Sequence, residues 1–476
     1  MDNLNQIIET LLLKGVTSDS RKVQKDFAFI AIKGEKQDGT LFIPQAIDNG
    51  AKLIVTDKNY NIPSNSTAKF IQVDNPRLAL SKLAAYIYKK QPENIVAVTG
   101  TNGKTSVTYF YRGIWGLLGQ KSASIGTIGV IDEQGNKVLE SSLTTGDPVF
   151  LHQTLESLTS KNIEYVSIEA SSHGLDQHRL DSINIKAAAF TNFTRDHLDY
   201  HQTMENYLDA KLRLFDSVMK QGGVAVLNSD IPEFELIKEK CHACNHQIID
   251  YGKNANSIKI ISITPIDGAQ QVSFAIDGNN YNIQLNLIGE FQVYNVLCAI
   301  GLAIASGANK EEVVSILPKL ENVPGRMERV KTNLNDKYIF VDYAHTADAL
   351  EKALKELRIY TDARIITVFG AGGERDKARR FEMGKVAEKY ADLAIVTDDN
   401  PRGEDPAVIR KEIISTCKKG VEVAGRAEAI EYAIRQMQEK DILLIAGKGH
   451  EKYQIIGSQV FEFDDVEIAA RIANNL

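Results

Sequence analysis

A chain of 476 residues is too long for one small core, and at ~100–200 residues per domain it predicts three domains. Hydrophobic residues at 43% and charged residues at 25% are ordinary globular usage, which excludes disordered, collagen-like and disulfide-scaffold classes. The 55 basic against 62 acidic residues give a net charge of −7, so no global cationic surface exists for nucleic acid or an anionic membrane. Local basic sites for a phosphorylated small molecule remain open.

The first segment, MDNLNQIIETLLLKG, carries acidic residues and no basic lead into its short apolar stretch, unlike a secretory signal. The longest apolar run, Val296 to Ala305, is about half of the ~20 residues a membrane span needs. The expectation is a cytoplasmic protein without membrane insertion or a nucleic-acid partner. Residues 1–90 alternate β-like runs (FAFIAIKG, AKLIVTD, KFIQVD) with helical patterns, a small α/β domain. A break at Gln91-Pro92-Glu93 precedes the strand Ile95 to Val98, which opens a second domain over 91–322. There YVSIEA, KAAAFTNF and GGVAVLN alternate with helices, as a parallel sheet requires.

Within it, Cys241, Cys244 and His246 raise zinc or redox chemistry. There is no second CxxC or distant His pair, so the structural reading is preferred. A helical pattern from Gln292 to Ser306 stops at Gly307, and Asn322 to Arg326 carries the turn chemistry of the next boundary. Residues 323–476 again read βα, through YIFVDYA, ARIITVFG, DLAIVTDD and DILLIAG. All but the first end in Gly-rich or acidic loops, where open α/β sheets bind ligands. The fold class is α/β in three domains: a central, mostly parallel sheet of the P-loop type, a small N-terminal α/β domain and a Rossmann-like C-terminal domain.

The sharpest signal is the strand Val96 to Thr99 running through Gly100-Thr101-Asn102-Gly103 into Lys104-Thr105-Ser106 and a helical pattern. Glycines let successive N–H groups face a phosphate, the lysine supplies charge at the terminal phosphates, and the threonine hydroxyl can ligate Mg²⁺. The loop reads GxxGKT, with Val98 where the general motif has its first glycine. Gly370-Ala-Gly372-Gly373 follows a strand too, but Arg375 stands where a dinucleotide fingerprint needs glycine, so it reads as a ligand loop.

TGTNGKT (99–105), EASSHGLDQHR (169–179), TNFTRDHLDYH (191–201), YNVLCAI (294–300), PGRME (324–328), VDYAHT (341–346), DDNPR (398–402) and GKGHE (447–451) occur in one order along the chain. Together with SDSRKV (18–23) they resemble the bacterial Mur ligases of peptidoglycan synthesis, over essentially the whole length. The resemblance implies ATP-driven amide formation through an acyl phosphate, with Mg²⁺. Its implied substrates are a UDP-linked muramoyl dipeptide and meso-diaminopimelate, and the expected state is a monomer. L-Lysine addition and folylpolyglutamate-type chemistry are the rival activities, and a non-catalytic nucleotide-binding scaffold is a further rival. The SDSR and DNPR segments are not expected of the folylpolyglutamate synthetases.

The resemblance assigns ATP contacts to Gly100, Thr101, Asn102, Gly103, Lys104, Thr105 and Ser106, and to Asn295, Arg326 and Asp342. Catalytic and metal roles fall to Thr105, Lys104, Glu169, His197 and Lys211. By spacing alone Glu169 is an even choice between metal ligand and solvated strand end. His197 and His201 share i,i+4 spacing, but only His197 matches the family position and His201 reads as structural. Lys211 stands four residues from both Tyr207 and Phe215, on or beside an apolar helix face. Spacing alone favours a snorkelling stem; the resemblance implies an N6-carboxylysine, a CO₂-derived carbamate that ligates metal. Ser18, Ser20, Glu35, Lys36, Gln37, Thr144, Thr145, Ser171, Gln177 and Arg179 align with UDP-substrate contacts, with Ser18 replacing a usual apolar residue. Arg375, Asp399, Asn400, Pro401, Arg402, Gly447 and Glu451 align with diaminopimelate contacts, Arg402 supplying a planar fork for its distal carboxylate.

Overall fold

The computed structural model describes residues 10–34 and 37–476, so Glu35 and Lys36 lie outside the described residues. It forms two compact units, one of residues up to Lys259 with Leu297–Val313, the other of Ile260–Val296 with Val314–Leu476. The fold is α/β.

The first unit opens with a four-stranded parallel sheet, in the order Gly15–Thr17, Phe27–Ile30, Ala51–Asp57 and Lys69–Val73. Side chains alternate across a strand, so Ala28, Ile30, Leu53 and Val55 pack with the helix Pro76–Ile87, while Phe29, Ala31 and Ile54 pack with Ile43 and Ala46. Burial on both faces is why these strands read as unbroken apolar runs. A larger sheet follows. Its parallel strands lie in the order Gln247–Gly252, Val224–Asn228, Ile185–Phe190, Asn94–Thr99, Tyr165–Glu169 and Ser122–Gly126. The antiparallel strands Gly129–Asp132 and Lys137–Leu139 extend it past Ser122–Gly126. From Asn94–Thr99 the chain runs to Ser122–Gly126, returns to place Tyr165–Glu169 between them, and then crosses to Ile185–Phe190 and on outward. The loops after Asn94–Thr99 and its neighbours Tyr165–Glu169 and Ile185–Phe190 therefore meet at one switch point.

In the second unit, Ala269–Ile276 and Asn279–Leu285 form an antiparallel hairpin closed by Asp277 (φ +48°) and Gly278 (φ +85°). Two consecutive left-handed residues are what a tight hairpin demands, and Asp-Gly supplies them. The six-stranded sheet beyond runs in the order Glu328–Arg329, Tyr338–Asp342, Ile442–Ala446, Ile365–Phe369, Leu393–Val396 and Gly420–Glu422, parallel except for its first pair. Phe340, Leu444 and Val396 face the helices Ala347–Arg358, Ala378–Tyr390 and Pro406–Ile414. Val341, Ile445 and Ile395 face Arg426–Gln436 and Asp465–Asn474. The apolar run around Val296 lies in the 16-residue helix Glu290–Ala305, and no helix among the described residues is long and apolar enough to cross a membrane.

One ion pair ties the last helix to this sheet. The Arg426 guanidinium donates from Nε and Nη2 to the two Asp465 oxygens, each at 2.7 Å, and from Nη2 to the Ala446 carbonyl at 3.0 Å. Both side chains are 0% exposed. Removing one partner of a buried pair leaves an uncompensated charge. Asp465→Ala should cost about 3–5 kcal/mol in chemical denaturation, and Arg426→Met with Asp465→Leu should cost much less. Equal losses in the two variants would contradict this account.

Candidate functional site

The phosphate loop sits where the sequence places it, between the strand Asn94–Thr99 and the helix Lys104–Leu117. Gly100 (φ +138°) and Gly103 (φ +86°) take backbone conformations that favour glycine, and a Cβ on Gly100 would lie 2.0 Å from Thr191 Oγ1. The neighbouring loop braces it. Thr101 N–H donates to the Asn192 carbonyl (2.8 Å), Asn102 N–H to Asn192 Oδ1 (2.9 Å), and the Thr191 hydroxyl to the Asn102 carbonyl (2.6 Å). The first-turn residues Thr105 and Ser106 are buried.

Two lysine nitrogens converge on one carbonyl. Lys104 Nζ donates to the carbonyls of Gly100 (3.0 Å) and Thr101 (2.8 Å), and Lys211 Nζ donates to Gly100 at 2.7 Å. Lys211 projects from the helix Met204–Arg213, is 1% exposed, and stands 4.4 Å over the Tyr207 ring. Burial first, and the nearby Lys104 charge second, hold its pKa well below the ordinary lysine value. The stem does not snorkel. The helix then widens into one π-turn, Leu214–Val218, so Phe215 is displaced from a regular α-helical face.

Glu169 ends its strand 1% exposed. Thr105 Oγ1 donates to its Oε2 at 3.0 Å, Thr127 N–H to Oε1 at 2.8 Å, and Thr127 Oγ1 to Oε2 at 3.2 Å. Its own main-chain carbonyl accepts from Thr145 Oγ1 at 2.7 Å. Thr145 Oγ1 lies 2.9 Å from Ser171 Oγ, which caps the short helix Ser172–Asp176. Arg179 donates to the Thr145 carbonyl and to Gln177 Oε1, both at 2.7 Å, and Thr127 Oγ1 lies 3.1 Å from Thr144 Oγ1. Thus Thr144, Thr145, Ser171, Gln177 and Arg179 form one network with Glu169.

A cavity of about 770 Å³ opens beside this network, lined by Gly34, Gln37, Arg77, His173, Gln177, Asp199 and Tyr200. Arg77 and Arg179 both donate to Gln177 Oε1, which gathers cationic charge at its edge. Arg77, His173, Tyr200 and Thr127 escape sequence reasoning; Tyr200 lay inside a singled-out motif, whereas Arg77 is 100 residues from Gln177. Ser18 is exposed, and Ser20 is buried with its hydroxyl donating to Gln45 Oε1 at 2.7 Å.

His197 has φ +50° and a side chain 48% exposed, at the head of the short helix Leu198–His201. The His173 ring lies 4.9 Å from that of His197 and 5.4 Å from that of buried His201, and His201 packs 5.2 Å from Tyr207. Among the described residues, no three His, Cys, Asp or Glu side chains gather where they could hold a metal ion. Cys241 is buried in the core with its thiol pushed up to about 12, and His246 Nε2 donates to the Phe215 carbonyl at 2.7 Å.

In the second unit, Asn295 donates to Gln292 Oε1 (3.0 Å), Gln292 to the Arg326 carbonyl (3.3 Å), and Met327 N–H to Asp342 Oδ2 (2.7 Å). The Arg326 guanidinium stands 4.8 Å over Tyr343. Burial raises the Asp342 pKa against the pull of Arg326. These three predicted nucleotide contacts therefore form one patch. Gly325 (φ +64°) approaches the 447–451 loop so closely that a Cβ would lie 2.0 Å from His450 N, so two separate sequence motifs share one backbone junction. Arg402 (φ +50°) donates from Nη1 to the Gly373 carbonyl at 2.9 Å. A Cβ on Gly372 would lie 3.0 Å from Arg402 Nη1 and 3.7 Å from exposed Arg375 Cγ, so both guanidinium side chains flank this glycine. Asn400 donates to Glu451 Oε2 at 3.0 Å, and a Cβ on Gly447 would meet Asp399 Oδ2 at 2.7 Å.

The lowered pKa of Lys211 makes a stability prediction. In the unfolded chain this amine binds its proton more tightly, so stability rises with pH between the folded-state pKa and the ordinary value of 10.5. In CO₂-free buffer at pH 7, Lys211→Met should melt at least about 2 °C above the wild type, the shift that 1 kcal/mol produces in a large domain. The gap should narrow toward pH 10. A lower melting temperature for the variant at pH 7 would mean that the Gly100 hydrogen bond outweighs desolvation.

Three family profiles cover most of the chain: "Mur ligase family, catalytic domain" at residues 12–88, "Mur ligase middle domain" at 98–303, and "Mur ligase, glutamate ligase domain" at 325–449. The UDP-N-acetylmuramoyl-L-alanyl-D-glutamate–2,6-diaminopimelate ligase of Rickettsia montanensis is 45% identical over 98% of this chain and 98% of its own length. The enzyme of the same name from Bradyrhizobium diazoefficiens is 43% identical over 98% and 96%. A solved structure of an enzyme of that name superposes with a TM-score of 0.74 at 32% identity, covering 97% of this chain and 94% of the other. With motifs, fold and relatives in agreement across nearly its full length, the chain belongs to the Mur ligase family.

Proposed function

We propose that this protein is an ATP-dependent ligase that joins meso-2,6-diaminopimelate to UDP-N-acetylmuramoyl-L-alanyl-D-glutamate in peptidoglycan precursor synthesis. The observation that carries this reading is the phosphate loop, with the Thr105–Glu169 contact at one side and the Lys104 and Lys211 side-chain nitrogens on the Gly100 carbonyl. The relatives named for that reaction support it. Work is divided among residues 1–90 for the UDP moiety, 91–322 for ATP and 323–476 for the amino acid, close to the three profile spans. The enzyme acts as a cytoplasmic monomer on small-molecule substrates.

A carboxylate is a poor electrophile, so its oxygen first takes the γ-phosphoryl group of ATP. That step removes its charge and creates a phosphate leaving group. The amine of diaminopimelate then attacks the acyl carbon, loses a proton and expels phosphate as the amide forms. The chain's contribution is positioning and charge cancellation among crowded anions. Gly100, Thr101, Asn102, Gly103 and Ser106 cradle the phosphates while Lys104 neutralises the transferring group. Asn295, Arg326 and Asp342 hold the nucleoside side. Ser18, Ser20, Gln37 and the Thr144–Arg179 network bind the UDP-linked substrate, and the Arg77 and Arg179 charges at the cavity edge suit a diphosphate.

The buried Thr105 hydroxyl and Glu169 carboxylate, 3.0 Å apart, are hard oxygen donors of the kind Mg²⁺ takes alongside water and phosphate. His197 and a carbamate on Lys211 complete the metal-binding set. Bound Mg²⁺ would supply Lewis-acid charge neutralisation at the phosphates. A desolvated amine with a lowered pKa is the form that captures CO₂, which fits Lys211 to that modification. Native mass spectrometry with bicarbonate should find about 44 Da of labile mass, one CO₂, on wild type and not on Lys211→Ala. A full-activity Lys211→Ala would overturn the role.

At the amino-acid site, Arg402 and Arg375 take the distal carboxylate, while Asp399, Asn400 and Glu451 serve the ammonium end, held by the backbone of Pro401 and Gly447. A site built around a charge rejects the analogue lacking it, because its own group is left unpaired. Wild type should prefer meso-diaminopimelate over L-lysine by at least ~10²-fold in kcat/KM, and Arg402→Ala should lose most of that preference. Equal efficiency with L-lysine in wild type would sink the assignment.

A further inference from the structure

Lys448 is wholly buried, at 0% exposure, within the 447–451 loop. Its Nζ donates to Asn400 Oδ1 at 3.1 Å and stands 3.7 Å from Glu451 Oε2. A buried ammonium gives up its hydration, so its few contacts must offset that loss. Those contacts lead to Asn400. On the oxygen side of its carboxamide stand Lys448 and the Ile455 N–H (3.0 Å), both obligate donors. On the nitrogen side stands Glu451 Oε2 (3.0 Å), an acceptor. The Asn400 main-chain carbonyl accepts from Gly373 N–H at 2.9 Å, and Arg402 Nη1 lies 3.5 Å from it while donating to the Gly373 carbonyl. One asparagine therefore joins the guanidinium of Arg402 to the carboxylate of Glu451.

We propose that Lys448 is a positioning residue for the incoming amino acid: by holding the Asn400 carboxamide in one orientation, it aims Glu451 at the ammonium end and steadies Arg402 at the carboxylate end. This rests on the assignment of Asn400, Arg402 and Glu451 to the amino-acid site. Burial lowers the Lys448 pKa, with Arg426 adding to that shift and the Asp399 and Glu451 carboxylates opposing it. Without the ammonium, Asn400 Oδ1 keeps only the Ile455 N–H donor, and the carboxamide is held less firmly.

Lys448→Met removes the donor at similar volume. In the full-length enzyme it should raise KM for diaminopimelate at least ~10-fold, with KM for ATP and for the UDP-linked substrate within about two-fold. A general folding defect would instead reduce kcat with every substrate alike. Lys448→Gln retains a donor and should recover part of the loss, and it carries the test if the methionine variant does not fold. In an Asn400→Ala background, the same Lys448 substitution should have little further effect, because it acts through the missing carboxamide. A folded variant with unchanged KM for diaminopimelate, or effects that simply add, would overturn the role of Lys448. A wild type unable to use diaminopimelate would overturn the functional reading instead, so the two failures are distinguishable.

Discussion

A parallel sheet obliges the chain to leave every strand at the same end, and the rest of this molecule follows from that constraint. The loops after Asn94–Thr99, Tyr165–Glu169 and Ile185–Phe190 are thrown together because their strands are hydrogen-bonded neighbours. The second unit repeats the device with Tyr338–Asp342, Ile442–Ala446, Ile365–Phe369 and Leu393–Val396. Residues far apart in sequence thereby share one rim without any contact having to pull them there.

Such rims collect charge, and the chain handles it in two ways. Arg426 is matched atom for atom by Asp465, with no exposure on either partner. Lys211 receives a neutral carbonyl and an aromatic face in place of a carboxylate. Paired charge gives rigidity. A poorly compensated amine gives up stability and gains nucleophilic character, a trade expected where chemistry and not architecture sets the residue.

The parallel strands were legible because both faces are buried, as in IVAV of 95–98 and ILLIA of 442–446. Edge strands were not: Lys137–Leu139 is exposed throughout and carries no burial pattern. The hairpin at Asp277-Gly278 had a readable turn, but Ala269–Ile276 mixes Gln, Ser and Ala into its alternation, which weakens the periodic signal. Motifs singled out the phosphate loop, Glu169 and Asn400, and the family resemblance singled out Lys211. They could not reveal what holds them, because Thr127 lies 42 residues from Glu169, and Arg426 lies 39 from Asp465. Supports of that kind depend on topology, and spacing does not encode it.

The Arg426 guanidinium touches the Ala446 carbonyl immediately before Gly447, and its counter-ion comes from the first residue of the helix Asp465–Asn474. In sequence that helix lies outside the loops 398–402 and 447–451. Even so, a shortened protein lacking it would strand a cation directly beneath them. For anyone trimming this chain to a smaller catalytic fragment, the last helix is part of the foundation of those loops, and the cut cannot be made before it.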